Sequence, residues 1–380
     1  MFKWFDRKVF ITFIVTVIAS SAIFGFMTVH FLIAPLEQYK PVLDVMNMIE
    51  SKGLAKKTHD ELVQGAIEGM VASLDDPFTY YMPPKEYSMM QMRNEGFFGG
   101  IGIEVGVTKK GLTVIAPIEG TPAAKAGIKA KDVIVEINGQ SAEKMTLNDA
   151  VTLIRGKQGT SVNLRILRGS KDVKAYIIVR ARIPIETVRG KMLAGKMGYL
   201  RISMFSDTST DEFTKVYNSL KKQGMKSLII DLRNNPGGTL TSAVGIAQQI
   251  VPKGKIVTVN YRTGEKTVYS SSLTEKTVPM VVLVNDGSAS ASEILTGALQ
   301  DTKTATVIGT TSFGKGLVQS VYSLNNNAGI ALTVAEYVTP NGRHINHIGI
   351  KPDIYIEQPV QETRDLQLDK AIQVVKGKLN

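Results

Sequence analysis

From Ile183 onward, near-continuous apolar runs of strand length alternate with helical patterns, and this alternation restricts the fold more than any other feature. KMGYLRIS, KSLIIDLR, PMVVLVN, ATVIGTT and GIALTVAEYVT read as strands, and DEFTKVYNSLKKQG, GTLTSAVGIAQQIV and ASEILTGALQD read as helices. A strand that is apolar on both faces must be covered on both, so residues 183–360 are expected to form a layered α/β domain around a buried sheet. Residues 361–380 (ending ETRDLQLDKAIQVVKGKLN) add a final amphipathic helix. Between 96 and 182 the character changes to short β-branched runs separated by glycine turns: FFGGIGIEVGV, GLTVIAPI, DVIVEING, SVNLRILRG and KAYIIVRARI. Two short helical stretches, TPAAKAGI and LNDAVTLIRG, interrupt this compact β-rich module.

Residues 36–95 are helical in pattern. Leu43, Met46, Met48 and Ile49 recur on one face, and Leu62, Ile67, Met70, Val71 and Leu74 on another. Thr58 or Asp60 caps the second helix and Asp75-Asp76-Pro77 stops it. Such Met-rich stripes suit core packing or a homodimer face. Tyr80 to Pro84 then reads as an extended linker.

The N-terminus carries Lys3, Arg7 and Lys8, followed by an uncharged run from Val9 to Pro35. At about 1.5 Å per residue, residues 9–34 are long enough for a helix across a hydrocarbon core of ~30 Å. A transmembrane anchor is therefore expected, with the positive flank in the cytoplasm and the rest of the chain extracytoplasmic, as a single-pass protein of the cell membrane. The chain of 380 residues is 43% hydrophobic and 21% charged, which suits several globular modules. Its formal charge of +11 comes from scattered Lys and Arg, without a basic run or interleaved aromatics, so a nucleic-acid partner is not expected. There is no cysteine, which excludes disulfides and thiolate chemistry.

The chemistry can be narrowed by elimination. The histidines are His30, His59, His344 and His347, and neither G-x-S-x-G nor H-E-x-x-H occurs. His344 and His347 follow the turn Pro340-Asn341-Gly342 and read as a solvated loop. Two strand-to-helix junctions stand out. In one, SLIIDL leads through Arg233-Asn234-Asn235-Pro236-Gly237-Gly238 to a helix, either a plain tight turn or a geometry that turns N–H groups outward and suits an anion or an oxyanion. In the other, VVLVNDG leads into Ser288-Ala289-Ser290-Ala291-Ser292-Glu293, small residues among which a serine can be closely approached. A third segment, Gly309 to Gly316, matches a phosphate loop up to Lys315, but then places Gly316 where Ser or Thr should hold magnesium. LVQSVYSL follows as a strand-like pattern where a phosphate loop needs a helix. A lysine drawn into an apolar setting loses its proton more easily and can act as a base. Serine and lysine thus form the leading nucleophile–base pair, requiring neither metal nor cofactor.

Taken together, DLRNNPGG, NDGSASASEI and FGKGLVQ resemble the signature segments of the carboxyl-terminal processing peptidases, the tail-specific serine proteases. The resemblance implies a multidomain α/β protein with a crotonase/Clp-like protease core and a β-rich PDZ domain. It implies Ser290 as nucleophile, Lys315 as general base and Gln319 as the residue that orients the lysine. The N–H of Ala291 and that of Gly237 or Gly238 would form the oxyanion hole. FFGGIGIEV resembles the carboxylate-binding loop of the family's PDZ domain, so Phe98, Gly99, Gly100, Ile101 and Gly102 are expected at a peptide C-terminus, bordered by Phe97 and Ile103. The implied partners are proteins or peptides with apolar free C-termini. A non-catalytic PDZ scaffold would lack a dyad member, whereas Ser290, Lys315 and Gln319 are all present.

Overall fold

The computed structural model describes residues 34–378 except 170, 171, 276 and 360, together with residues 13, 15–21 and 24. The chain divides into two compact units, Met1–Tyr81 and Met82–Asn380. In the first, helices α1 (Lys40–Lys52) and α2 (His59–Ala72) carry the expected periodicity. Thr58 caps α2: its hydroxyl accepts from the Glu61 N–H, and Glu61 accepts from the Thr58 N–H at 2.8 Å. Met46 is buried, whereas Leu43, Met48, Ile49, Met70 and Leu74 are exposed.

The expected transmembrane helix over 9–34 needs correction. Among the described residues no helix is long and apolar enough to cross a membrane. Within that run the longest described helical stretch is 15–21, which carries Thr16, Ser20 and Ser21. The remainder of the run lies largely outside the described residues, and single-pass anchoring is not carried further.

The second unit opens with α3 (Pro84–Asn94) and strand β1 (Phe97–Gly100). An antiparallel sheet follows in the order β2 (Ile103–Thr108), β3 (Gly111–Pro117), β4 (Val133–Ile137), β5 (Ser161–Arg168) and β6 (Asp172–Val179), with helix α4 (Leu147–Ile154) between β4 and β5. Alternation decides its inner face: Val162, Leu164 and Ile166 are fully buried with Ile134, Ile137 and Ile178, while Ser161, Asn163 and Arg165 face outward. The chain leaves through β7 (Ala181–Pro184), which pairs antiparallel with β1, Phe97 opposite Pro184 and Gly100 opposite Ala181.

The remainder is built on one mixed sheet. Its strands are β8 (Val188–Leu193), β9 (Met197–Ile202), β10 (Ser227–Asp231), then β13 (Met280–Val284), β14 (Ala305–Gly309) and β17 (Ile354–Tyr355), lying in that order. All pairings after β9 are parallel, and every residue of β10 and β13 is buried, as their unbroken apolar character requires. The intervening β11 (Gly254–Tyr261) and β12 (Lys266–Ser271) form a hairpin outside this sheet. β11 also pairs with β16 (Gly329–Val338), which pairs with β15 (Leu317–Ser323). Helices α5 (Ser209–Lys222), α6 (Leu240–Ile250) and α7 (Ala291–Asp301) pack into the larger core with Leu228, Ile230, Val282 and Val307. The terminal helix α8 (Leu366–Gly377) places Ala371 and Val375 against Ile229, Val281, Leu283 and Ile308, covering the opposite face.

Candidate active site

Strands β10, β13 and β14 are adjacent and parallel, so the loops leaving their carboxyl ends emerge along one edge of the sheet. These loops are the three segments singled out above: residues 232–239, 285–290 and 310–316.

Ser290 sits where the second loop enters α7, with φ 54° and ψ −113°. A non-glycine residue with positive φ is strained, and such strain persists only where surrounding contacts enforce it. The neighbouring serines are spoken for. Ser288 is buried and donates to the Leu232 carbonyl at 2.8 Å; Ser292 is buried and donates to the Asn235 carbonyl at 2.9 Å. Ser290 alone of the three is half-buried.

The first loop is laced to the second. Asn234 donates its N–H to Asn285 Oδ1 at 2.8 Å, and the Asn285 side-chain amide returns a bond to Asn234 Oδ1 at 2.8 Å. The Ala289 N–H reaches the Asn235 carbonyl at 3.0 Å. Gly237 and Gly238 have φ of +99° and +141°. A Cβ on Gly237 would stand 2.9 Å from the Ser290 Cβ, and one on Gly238 would overlap the Phe205 carbonyl, so this turn admits only glycine. The Gly237 N–H is occupied by Asn235 Oδ1 at 2.9 Å. The N–H groups of Gly238 and Ala291 donate to no such internal partner among the described residues.

The third loop carries Lys315, which is half-buried between buried Gly314 and Gly316. Glu293 ties it to the nucleophile. This fully buried carboxylate accepts at Oε2 from the Ser290 N–H (2.8 Å) and the Lys315 N–H (2.9 Å). At Oε1 it accepts from the Ser312 hydroxyl (2.6 Å) and the Gly314 N–H (2.7 Å). Four donors stabilise the charge that burial would otherwise make costly. The loop is further held by the Phe313 N–H on the Ser288 carbonyl at 3.0 Å and the Gly316 N–H on Asn346 Oδ1 at 3.1 Å. Strand β15 follows it, so the lysine lies in no phosphate loop. Gln319 lies on β15 and donates to Thr333 Oγ1 at 3.2 Å. His344 and His347 are on an exposed loop, His344 paired with Glu336 at 2.8 Å. Among the described residues no group of three or more His, Asp or Glu side chains gathers as a metal would need.

A second concavity lies on the β-rich module. Phe98, Gly100, Ile101, Gly102, Ile103 and Val105 form one side, and Val151, Ile154 and Arg155 the other. The N–H groups of Ile101 and Gly102 have no partner among the described residues, the condition in which a turn holds a carboxylate. Gly99 turns away from this groove: its carbonyl accepts from the Gly156 N–H at 3.0 Å, and a Cβ there would overlap the Gly156 carbonyl. Arg155, at the groove's mouth, stacks its guanidinium 4.6 Å from the Phe98 ring centroid. Glu293, Asn235 and Arg155 were not singled out by sequence. Glu293 did have a signal, since a Glu three residues after a Ser at a helix start reads as a capping residue.

Comparison with known proteins places these features in a family. A model of peptidase family S41 matches residues 196–356, a PDZ-domain model residues 99–179, and a model of the activating protease CtpB N-terminal domain residues 29–86. The chain is 38% identical over 361 residues to the carboxy-terminal processing protease CtpA of Bacillus subtilis, covering 93% of this chain and 78% of that protein. It is 37% identical over 326 residues to a carboxyl-terminal-processing protease of Synechocystis, covering 82% and 76%. Among solved structures, a photosystem II D1 C-terminal processing protease superposes with a TM-score of 0.51 at 31% identity, over 88% of this chain and 90% of that one.

Proposed function

The chain belongs to peptidase family S41, the carboxy-terminal processing serine proteases with a PDZ domain, and from this we propose that it cleaves peptide bonds with a Ser290–Lys315 dyad. The observation that carries the reading is the shared Glu293 oxygen, which puts the Ser290 and Lys315 main chains within two hydrogen bonds of each other. Neutral Lys315 takes the Ser290 proton as the hydroxyl oxygen bonds to the substrate carbonyl carbon. The Gly238 and Ala291 N–H groups, both without internal partners among the described residues, receive the oxyanion. The C–N bond then breaks, the lysine's proton passes to the departing amine, and water releases the acyl group by the same route in reverse. Gln319 steadies the lysine.

In this reading residues 183–360 perform the chemistry and residues 96–182 select substrates. The Ile101 and Gly102 N–H groups hold the terminal carboxylate, and the apolar walls of the groove hold the last side chain, with the tail added alongside β2. Substrates are thus proteins or peptides ending in apolar residues.

Ser290→Ala and Lys315→Ala should each lower turnover of a peptide substrate by at least about 10³-fold with the fold unchanged. Lys315→Arg should be equally inactive, because a guanidinium does not give up its proton at working pH. Turnover near the parental rate in either alanine variant would reject the dyad.

A further inference from the structure

Glu293 is not the only group that spans the nucleophile and lysine loops. Tyr337, on β16, is almost completely buried, its ring part of the core formed with α6 and α7. Its hydroxyl oxygen lies 2.6 Å from the Lys315 carbonyl oxygen and 3.0 Å from that of Ser290. The two carbonyls differ in what else they receive. That of Ser290 already accepts the N–H groups of Glu293 (2.8 Å) and Ile294 (3.0 Å) from the first turn of α7. The phenol has one proton to give, so the shorter contact, to Lys315, is its principal bond. The Tyr337 N–H also donates to the Gly316 carbonyl at 2.9 Å, so the strand grips the lysine loop on both sides of its glycine.

We infer that Tyr337 is a positioning residue of the dyad: its hydroxyl fixes the Lys315 main chain against that of Ser290, and so sets where the lysine amine meets the serine hydroxyl. This rests on the dyad reading above. Glu293 bonds the amides of the two residues and Tyr337 their carbonyls, so the peptide units on either side of each are held by different groups. Burial, reinforced by the nearby Glu293 charge, raises the phenol's pKa well above its ordinary 10, so it remains a donor throughout the working range. A dyad reacts efficiently only when its atoms are held near the reactive distance, and small displacements cost turnover more than binding.

The test is full-chain Tyr337→Phe, which removes one oxygen and leaves the ring in place. Steady-state cleavage of a peptide substrate should show kcat lowered roughly 10- to 100-fold with KM little changed. The pH at which kcat/KM rises to half its plateau should move, because it reads proton loss from a base whose seat has altered. Unchanged kcat and an unmoved pH limb would overturn the inference, as would a loss confined to KM. Should the variant be poorly folded, 3-fluorotyrosine at position 337 keeps the shape and alters only the hydroxyl's donor strength. It should shift kcat and the pH limb, and wild-type values for both would also overturn the inference. Ser290→Ala, run in parallel, separates the two levels. If it retains turnover the dyad reading fails; if it is inactive while Tyr337→Phe matches wild type, only the role of Tyr337 fails.

Discussion

At Gly238 a methyl group has nowhere to go: the backbone is left-handed, and a Cβ would overlap the Phe205 carbonyl, which itself accepts from the Thr239 N–H at 2.8 Å. Gly238→Ala must therefore rotate the peptide that carries the proposed oxyanion donor. Loss of one such donor costs about 10²–10³ in kcat. The variant should fall by at least that much in peptide hydrolysis, and wild-type kcat would remove Gly238 from the oxyanion site. Local spacing made the pair Gly237-Gly238 legible, but not the choice between them. That choice depends on the Asn235 side chain capturing the Gly237 N–H, a fold-back no periodicity reveals. For the serines, the family resemblance already implied Ser290, and the contacts that occupy its neighbours are remote: Ser288 and Ser292 are consumed by carbonyls 56 and 57 residues distant. Tyr337 acts 47 residues from Ser290 and reads in sequence as one more aromatic of a β-rich strand.

At the scale of elements, α4 depends on an arginine from the far side of the β-rich module. Arg180 is buried and donates to the Leu153 and Ile154 carbonyls, both at 2.8 Å, closing the last turn of α4. It also donates to the Ser161 carbonyl at 2.7 Å and the Thr160 hydroxyl at 2.9 Å. Three carbonyls, two of them at the C-terminus of α4, rather than a carboxylate, balance its charge, and burial lowers its pKa. Because α4 is one wall of the groove, and Gly156 beyond it packs on both Arg180 and Gly99, the guanidinium sets the spacing of the two walls. Arg180→Lys cannot reach all four acceptors. It should weaken binding of a free apolar C-terminal peptide about tenfold or more, read by fluorescence polarisation, while kcat on a short peptide is retained. Unchanged affinity would leave Arg180 as packing alone. The strands and helices around this groove were legible because their apolar residues keep a period of two or of 3.6. The hairpin of β11 and β12 was not read, although TGE turns between GKIVTVNY and KTVYSS. Lys255, Asn260 and Lys266 dilute its apolar signal, and its partner β16 is remote in sequence. The N-terminal run is free of charge, which suggested a spanning helix, yet among the described residues no helix is long and apolar enough to cross a membrane.

For the molecule as a whole, the sheet must be closed on the face opposite α5, α6 and α7, and α8 does this through the apolar contacts of Leu368, Ala371, Ile372, Val374 and Val375. A charged clasp supplements them. Arg233 forks onto Asp365, just before α8, at 2.7 and 2.8 Å, and onto Asp231 at the end of β10 at 2.6 Å. Asp231 is fully buried and also receives the Tyr199 hydroxyl at 2.6 Å. Arg233 is the second residue of the loop that carries Gly238, so the clasp joins α8 to the edge where the chemistry is proposed. Burial alone would raise the Asp365 pKa. The Arg233 hydrogen bonds, the Leu368 N–H and the charges of Arg233 and Arg201 outweigh it and hold the carboxyl below its ordinary 3.8. The linkage sign follows: near pH 4 the unfolded chain binds the proton more readily than the folded one, so stability rises with pH there. The contribution is full above the ordinary carboxylate range and is lost as pH falls through the lowered value. Asp365 is partly exposed, so solvent screening limits the pair to about 1–2 kcal/mol. Asp365→Asn should therefore lower the urea midpoint, followed by far-UV circular dichroism, at about pH 7. The gap from wild type should narrow as pH falls below the ordinary carboxylate range and through the lowered value of the folded state. A midpoint equal to wild type at neutral pH, or a gap that persists undiminished in acid, would show that α8 is held by its apolar face alone.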